Sequence, residues 1–171
     1  MTSTEEVSLA LIMPREQALF ASVLAPYFSE VAPSIEVDIS ERAKQMLHRQ
    51  DVTAFWIRQG RARIGFALVL NLPDDRRELS EFAIVPQHRR KGLGHQAASL
   101  LLQEFPGRWR MGISGHSKQA LAFWGTCLSI LPGVSELREG APFTEHQTKS
   151  YTFDIAGPQN ATPTKTGPTD D

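Results

Sequence analysis

The chain has 171 residues, 18 Lys+Arg against 19 Asp+Glu, one Cys and a formal net charge of -1. That length suits one domain with a tail, and the 41% apolar content argues against a disordered chain. One cysteine excludes an internal disulfide framework, no Cys/His cluster has zinc-ligand spacing, and near-balanced charge gives no global reason to expect nucleic acid or an anionic membrane.

Val7 to Met13 predicts a short strand. The acidic Glu5 and Glu6 before it do not suit a signal peptide, and no apolar run approaches the ~18 residues of a membrane span, so a cytoplasmic protein is expected. Pro14 opens a helical pattern with Ala18, Leu19, Val23 and Leu24 inward, ending near Pro26. Tyr27 to Glu36 then reads as a loop. Asp38 with Glu41 resembles a capping box, starting a second helix that carries Ala43, Met46 and Leu47.

Val52–Arg58 and Arg63–Leu70 are β-branched and aromatic runs joined by a Gln59-Gly60-Arg61-Ala62 turn. Asn71 to Arg76 is a loop, and Glu78 to Val85 another strand. A basic glycine loop follows, then a helix with Ala97, Ala98, Leu101 and Phe105 apolar, stopped by Pro106. Trp109–Ser114 is a strand. Ser117 suits the N-cap of a helix carrying Phe123, Trp124, Cys127 and Leu128, and Lys149–Ile155 is a closing strand. The order β-α-α-β-β-β-α-β-α-β describes a mixed α/β domain with a central antiparallel meander, expected over residues 6–156. The Pro/Thr/Gly-rich segment 157–171 reads as a disordered tail.

Strand, then Arg89-Arg90-Lys91-Gly92-Leu93-Gly94, then helix is the most informative segment. Its glycines let backbone approach an anion, the free amides of the helix start point at that anion, and three cations add charge. The physical reading is a pyrophosphate cradle, flanked by His88 and His95. It competes with a solvated basic turn that merely caps the helix. No Gly-Lys-Ser/Thr is present, so a P-loop is excluded. Gly92 to Ala97 does match the dinucleotide fingerprint G-x-G-x-x-A. However, six residues separate it from Val85, and no acidic residue follows the next strand at Gly115, His116 and Ser117.

Ala83-Ile84-Val85-Pro86-Gln87-His88-Arg89-Arg90-Lys91-Gly92-Leu93-Gly94 resembles the R/Q-x-x-G-x-G/A motif of the GNAT (Gcn5-related N-acetyltransferase) superfamily. Ser117-Lys118-Gln119-Ala120-Leu121-Ala122-Phe123-Trp124 is similar to its second landmark, N-x-x-A-x-x-F-Y, with Ser for Asn and Trp for Tyr. The AxxFW form looks like one bacterial branch of predicted acetyltransferases. The resemblance implies a GNAT fold: a mixed sheet with an antiparallel N-terminal meander, strands splayed at a cofactor cleft, and about four helices. It implies acetyl-CoA as cofactor, with Ala83, Ile84 and Val85 offering backbone groups to the pantetheine arm. The pyrophosphate would meet Arg89, Arg90, Lys91, Gly92, Leu93, Gly94 and His95, while Ser117, Phe123 and Trp124 would lie near the cofactor.

The implied reaction is acetyl transfer to a primary amine, with a small molecule as the preferred acceptor, by direct attack in a ternary complex. A backbone amide near Val85 would hold the developing oxyanion. Glu81, four residues earlier and expected on the same face, is the candidate base; its alternative is an exposed strand charge. Glu78 is expected on the opposite face. Trp124 cannot donate a proton as the family tyrosine does, so the thiolate would leave unassisted, take a proton from water, or take one from Ser117, His116, Tyr27 or Tyr151. Tyr27, Phe28 and Glu30 could wall the acceptor site, with Ala141–His146 as the other wall. Cys127 reads as a small buried hydrophobe and His48 as a solvated side chain on a polar helix face. A catalytically impaired acyl-CoA-binding sensor is the alternative function; homodimers, common in the superfamily, suit either reading.

Overall fold

A computed structural model describes residues 5–157. The expected tail therefore lies, apart from Gly157, outside the described residues. One seven-stranded sheet runs in the order β1-β2-β3-β4-β5-β7-β6. Its strands are β1 (Val7–Leu11), β2 (Val52–Gln59), β3 (Ala62–Asn71), β4 (Arg76–Ile84), β5 (Gly107–Ser114), β6 (Val134–Gly140) and β7 (Gln147–Ile155). Strands β1 to β4 form the antiparallel meander, β4 and β5 are parallel, and β5, β7 and β6 are antiparallel.

Four helices cover the sheet: α1 (Gln17–Val31), α2 (Ile39–His48), α3 (Leu93–Glu104) and α4 (Lys118–Ile130). Phe20, Leu24, Ala43 and Met46 of α1 and α2 pack on Ala54, Trp56, Phe66 and Leu68. The opposite face takes α3 and α4, with Leu101, Leu102 and Leu128 against Ile57, Val69, Trp109 and Met111. Both faces of β2 and β3 are covered, which is why they read as continuous apolar runs rather than alternating ones. On the α1/α2 side only β1 to β4 are covered, so β5, β7 and β6 leave that face to solvent.

Three sequence expectations are corrected. Helix α1 does not stop at Pro26 but continues to Val31 with the proline inside it. Proline removes one backbone donor, yet burial of Phe20 and Leu24, each 0% exposed, stabilises the helix by roughly 1.5–3 kcal/mol per side chain. Phe20 and Leu24 are its inward residues, while Ala18 and Leu19 are exposed. Tyr27, Phe28 and Glu30 thus ride on a helix rather than a loop. Strand β6 is additional to the expected order; it is an exposed edge strand with only Val134 partly buried, so it carries no apolar signal. The Asp38 side chain does cap α2, accepting the Glu41 amide at 3.1 Å.

Candidate active site at the parting of two strands

Strands β4 and β5 pair only where Arg76, Arg77 and Glu78 face Arg108, Trp109 and Arg110. Beyond that apex no ladder pair joins Leu79–Ile84 to Met111–Ser114, so the two strands part there. A register shift opposite Leu68/Val69 leaves Ser80 as an extra residue in β4. Such a bulge bends its strand and resets which face each side chain takes.

That bulge corrects the expected placement of the two carboxylates. Glu78 pairs with Leu70 and Glu81 with Leu68, so both lie on the α1/α2 face. Glu78 accepts from Arg110 Nε at 2.9 Å. Glu81 accepts a hydrogen bond from the Tyr27 hydroxyl on α1. Tyr27 is itself wedged edge-on against Phe66, ring centroids 5.2 Å apart. Burial, with the Glu78 charge adding to it, pushes the Glu81 carboxyl up to about 7; the Tyr27 hydrogen bond and the Arg42 charge oppose this. The Tyr27 phenol is held well above its usual 10 by burial first and the Glu81 charge second, so it stays protonated and donating.

Backbone direction along β4 supplies the second part. The Val85 amide, expected at the thioester carbonyl, instead donates to Ile64 O at 2.8 Å. Alternation then turns the amides of Ile84 and Phe82 away from β3, toward the parted side. The residue that could meet an oxyanion is therefore not Val85 but one of these two. Ala83 shares Val85's orientation, and its carbonyl crowds Gly65: a Cβ there would stand 2.0 Å from Ala83 O.

After β4, Pro86–His88 make a 3-10 turn, and Arg90 (φ 65°) and Gly92 (φ 75°) adopt left-handed conformations. The first helical bond of α3 runs from Gln96 N to Gly92 O, leaving the amides of Leu93, Gly94 and His95 without intrahelical acceptors. A Cβ on Gly92 would meet nothing within 4 Å, so the loop surface there is open. Arg90 and Lys91 are exposed beside it.

Arg89 departs from expectation. Its Nε donates to Ile84 O at 2.7 Å, and its terminal nitrogens bind both Glu30 carboxylate oxygens at 2.9 and 3.0 Å. The guanidinium ties the loop to α1, and Glu30 is correspondingly engaged instead of waiting for a cationic acceptor. Phe28 is half-buried against the Tyr27 ring.

At the second landmark, Ser117 caps α4 by accepting the Ala120 amide at 3.0 Å. Phe123 stacks on Phe82 with planes 18° apart and approaches Gly94, where a Cβ would come 3.2 Å from its ring. Trp124 is 6% exposed and packs edge-to-face on Phe82 and Phe123 at 5.1 and 4.9 Å, which makes it core. Cys127 is buried, its thiol pushed up to about 12 by burial, and His48 is exposed, each as the sequence predicts. Tyr151 is buried and Ala141–His146 is an exposed connection between β6 and β7.

The Tyr27–Glu81 contact joins residues 54 positions apart, and no local sequence signal could have paired them. The same holds for Glu78 and Arg110.

The family model described as "Acetyltransferase (GNAT) family" matches residues 18–126. A comparison with curated proteins returns no match. Among solved structures, an acetyltransferase from Thermus thermophilus superposes with a TM-score of 0.67 at 18% identity, covering 90% of this chain and 100% of that one. An aminoglycoside acetyltransferase in complex with coenzyme A gives 0.68 at 15% identity, covering 88% and 95%. An N-acetyltransferase from Thermoplasma acidophilum in complex with coenzyme A gives 0.61 at 10% identity, covering 88% and 99%. At these identities the likeness is one of fold.

Proposed function

Since the chain belongs to the GNAT acetyltransferase family, we propose that it transfers acetyl from acetyl-CoA to the primary amine of a small molecule, within a single domain spanning residues 6–156. The observation that carries this reading is the Glu81–Tyr27 pair beside the point where β4 and β5 part, with the glycine loop at the far end of β4.

The residues present suit the cofactor. The amides of Leu93, Gly94 and His95, open space over Gly92, and the exposed Arg90 and Lys91 make a cradle for a pyrophosphate. Ile84 N–H and its neighbours on β4 would hold the pantetheine arm as an added strand. Bound there, the cofactor supplies an activated acetyl thioester. The amides of Phe82 and Ile84 are the donors on the cleft side that could stabilise an oxyanion, and the Phe82 amide also faces the Tyr27 hydroxyl. The Glu81 carboxylate, held through Oε2 by Tyr27, takes the proton from the acceptor ammonium through Oε1 or a water. A group poised near 7 suits that task, since a large share of it is ionised at neutral pH and that carboxylate is more basic than an ordinary one. Arg89 acts by fixing the loop against α1 rather than by presenting its charge to phosphate.

The neighbours bound to coenzyme A support the cofactor, and one solved as a spermidine N-acetyltransferase chimera supports an amine acceptor. One observation favours the alternative of an acyl-CoA-binding sensor: Trp124, where the family tyrosine would stand, is buried and offers no proton. Calorimetric titration with acetyl-CoA, followed by thiol-release assays over an amine panel, separates the two. The enzyme reading expects one-to-one binding, and Glu81→Gln should keep that affinity while losing about a hundredfold or more in kcat. Binding without turnover in the parent would favour the sensor. Absence of binding at millimolar acetyl-CoA would overturn both.

A further inference from the structure

The uncovered half of the sheet carries an open groove of about 600 Å³. Register places its charges. Arg110 lies beside Glu78, Arg108 beside Arg76 and Asp154, and Arg138 beside Thr152. Side chains paired across strands share a face, so all of these project on the same side as Glu81. The groove is thus continuous with the face on which the candidate base stands.

Its arginines are engaged to different degrees. Arg110 is held by Glu78 at 2.9 Å and lies over the Phe143 ring at 4.9 Å. Arg138 is loosely paired with Glu136 at 3.6 Å, both largely exposed. Arg108 has no ion pair or hydrogen bond among the described residues, although Asp154 is its cross-strand neighbour. Four arginines, Arg76, Arg108, Arg110 and Arg138, project toward the groove against two carboxylates, Glu136 and Asp154, while the Arg77 side chain turns to the opposite face, to Pro106 O and the Phe105 ring. The unengaged Arg108 on β5 and Arg138 on β6 stand on either side of β7, and guanidinium groups flanking one strand suit a carboxylate or phosphate.

We propose that this groove is the distal half of the acceptor site and binds an anionic group, so that the acceptor is a small primary amine carrying a carboxylate or phosphate. The proposal rests on the acetyl-transfer reading for the position of the amine at Glu81. Glu81 stands three residues of strand from the Glu78–Arg110 rung and five from the Arg76–Arg108 rung, which sets the amine-to-anion distance at roughly 10–16 Å. Arg108 and Arg138 grip the anion, and Arg110, fixed by Glu78, orders the wall between the two ends.

Matched probes test this. The parent enzyme is expected to acetylate 8-aminooctanoate with kcat/KM about tenfold or more above 8-aminooctanamide. The same comparison between 6-aminohexyl phosphate and 6-aminohexanol tells phosphate from carboxylate. Arg108→Ala with Arg138→Ala should erase the preference, mainly through KM, and leave acetyl-CoA affinity unchanged. Equal use of charged and neutral amines, or a preference that survives the double variant, overturns the proposal while leaving acetyl transfer intact. A readout independent of turnover is the guanidinium Nε–H spectrum of the parent during titration with inorganic phosphate. Arg108 and Arg138 resonances should shift together, and resonances that stay fixed up to high millimolar phosphate overturn the groove as an anion site. If sedimentation instead shows a dimer that the double variant dissociates, the face is an interface and the proposal falls.

Discussion

At the scale of single residues, the proposed acetyl transfer rests on Tyr27 and Glu81. Tyr27 never needs to release its proton, because burial and the neighbouring carboxylate hold the phenol well above 10. Its contribution is to donate to Glu81 and to fix which oxygen stays available. A hydrogen bond to the ionised form lowers a carboxyl pKa, so removing it must raise the pKa further. Tyr27→Phe is therefore expected to move the acidic limb of the kcat/KM profile to higher pH, with modest loss at the plateau. A merely structural role would lower the plateau and leave the limb where it is. The pH-rate profile of the variant against the parent decides between them. Glu30, by contrast, pairs with Arg89 at a partly exposed site where such bridges contribute about 1 kcal/mol or less.

At the scale of elements, what could be read from sequence depends on whether a feature leaves a local mark. The β2–β3 runs, the Gly60 turn and the Asp38 cap are visible because apolar continuity, a left-handed turn and a capping oxygen each need particular residues. The glycine loop at Arg89–Gly94 is visible for the same reason, its left-handed Gly92 needing glycine. Strand β6 is not, since an exposed edge held by β7 needs no apolar residues. Nor is the Ser80 bulge, which depends on the register with β3; without it, strand alternation would put Glu78 and Glu81 on opposite faces. The continuation of α1 past Pro26 is a tertiary override of a local rule, carried by packing before the proline and by the Tyr27 contacts after it. Pro26 is exposed, so Pro26→Ala loses no packing and gains an amide that can reach Ser22 O. The restored hydrogen bond outweighs the larger entropy of the unfolded chain, giving a net gain of about 1 kcal/mol. In thermal melts this is a rise in Tm of roughly 2–4 °C; an unchanged or lower Tm would mean that the helix already compensates for the missing donor.

On the scale of the whole molecule, the site is assembled at a weak point of the sheet. Two half-sheets meet through three residue pairs of β4 and β5, with separate helix layers on the meander side. Into the seam goes a carboxylate that the fold itself makes costly to ionise. That cost appears in global stability. The folded chain holds the Glu81 proton up to about 7, against the ordinary 4.5 of a solvated glutamate in the unfolded chain. Between those values unfolding releases a proton, so this group makes stability fall as pH rises, and above about 7 the full penalty remains. Glutamine in its place can still accept from Tyr27 through its carbonyl oxygen and never ionises. Glu81→Gln is thus expected to match the parent near pH 4.5 and to exceed it at pH 8, by on the order of 1–3 kcal/mol. Urea denaturation of both proteins at pH 5 and pH 8 measures the difference, and since the other titrating groups are common to both, they cancel. A stability gain that grows with pH, together with lost turnover, would identify Glu81 as a group kept for chemistry at the expense of the fold. A gain that is flat with pH would mean that the carboxyl ionises in the folded chain as it does in water, and its role as a tuned base would fail with it.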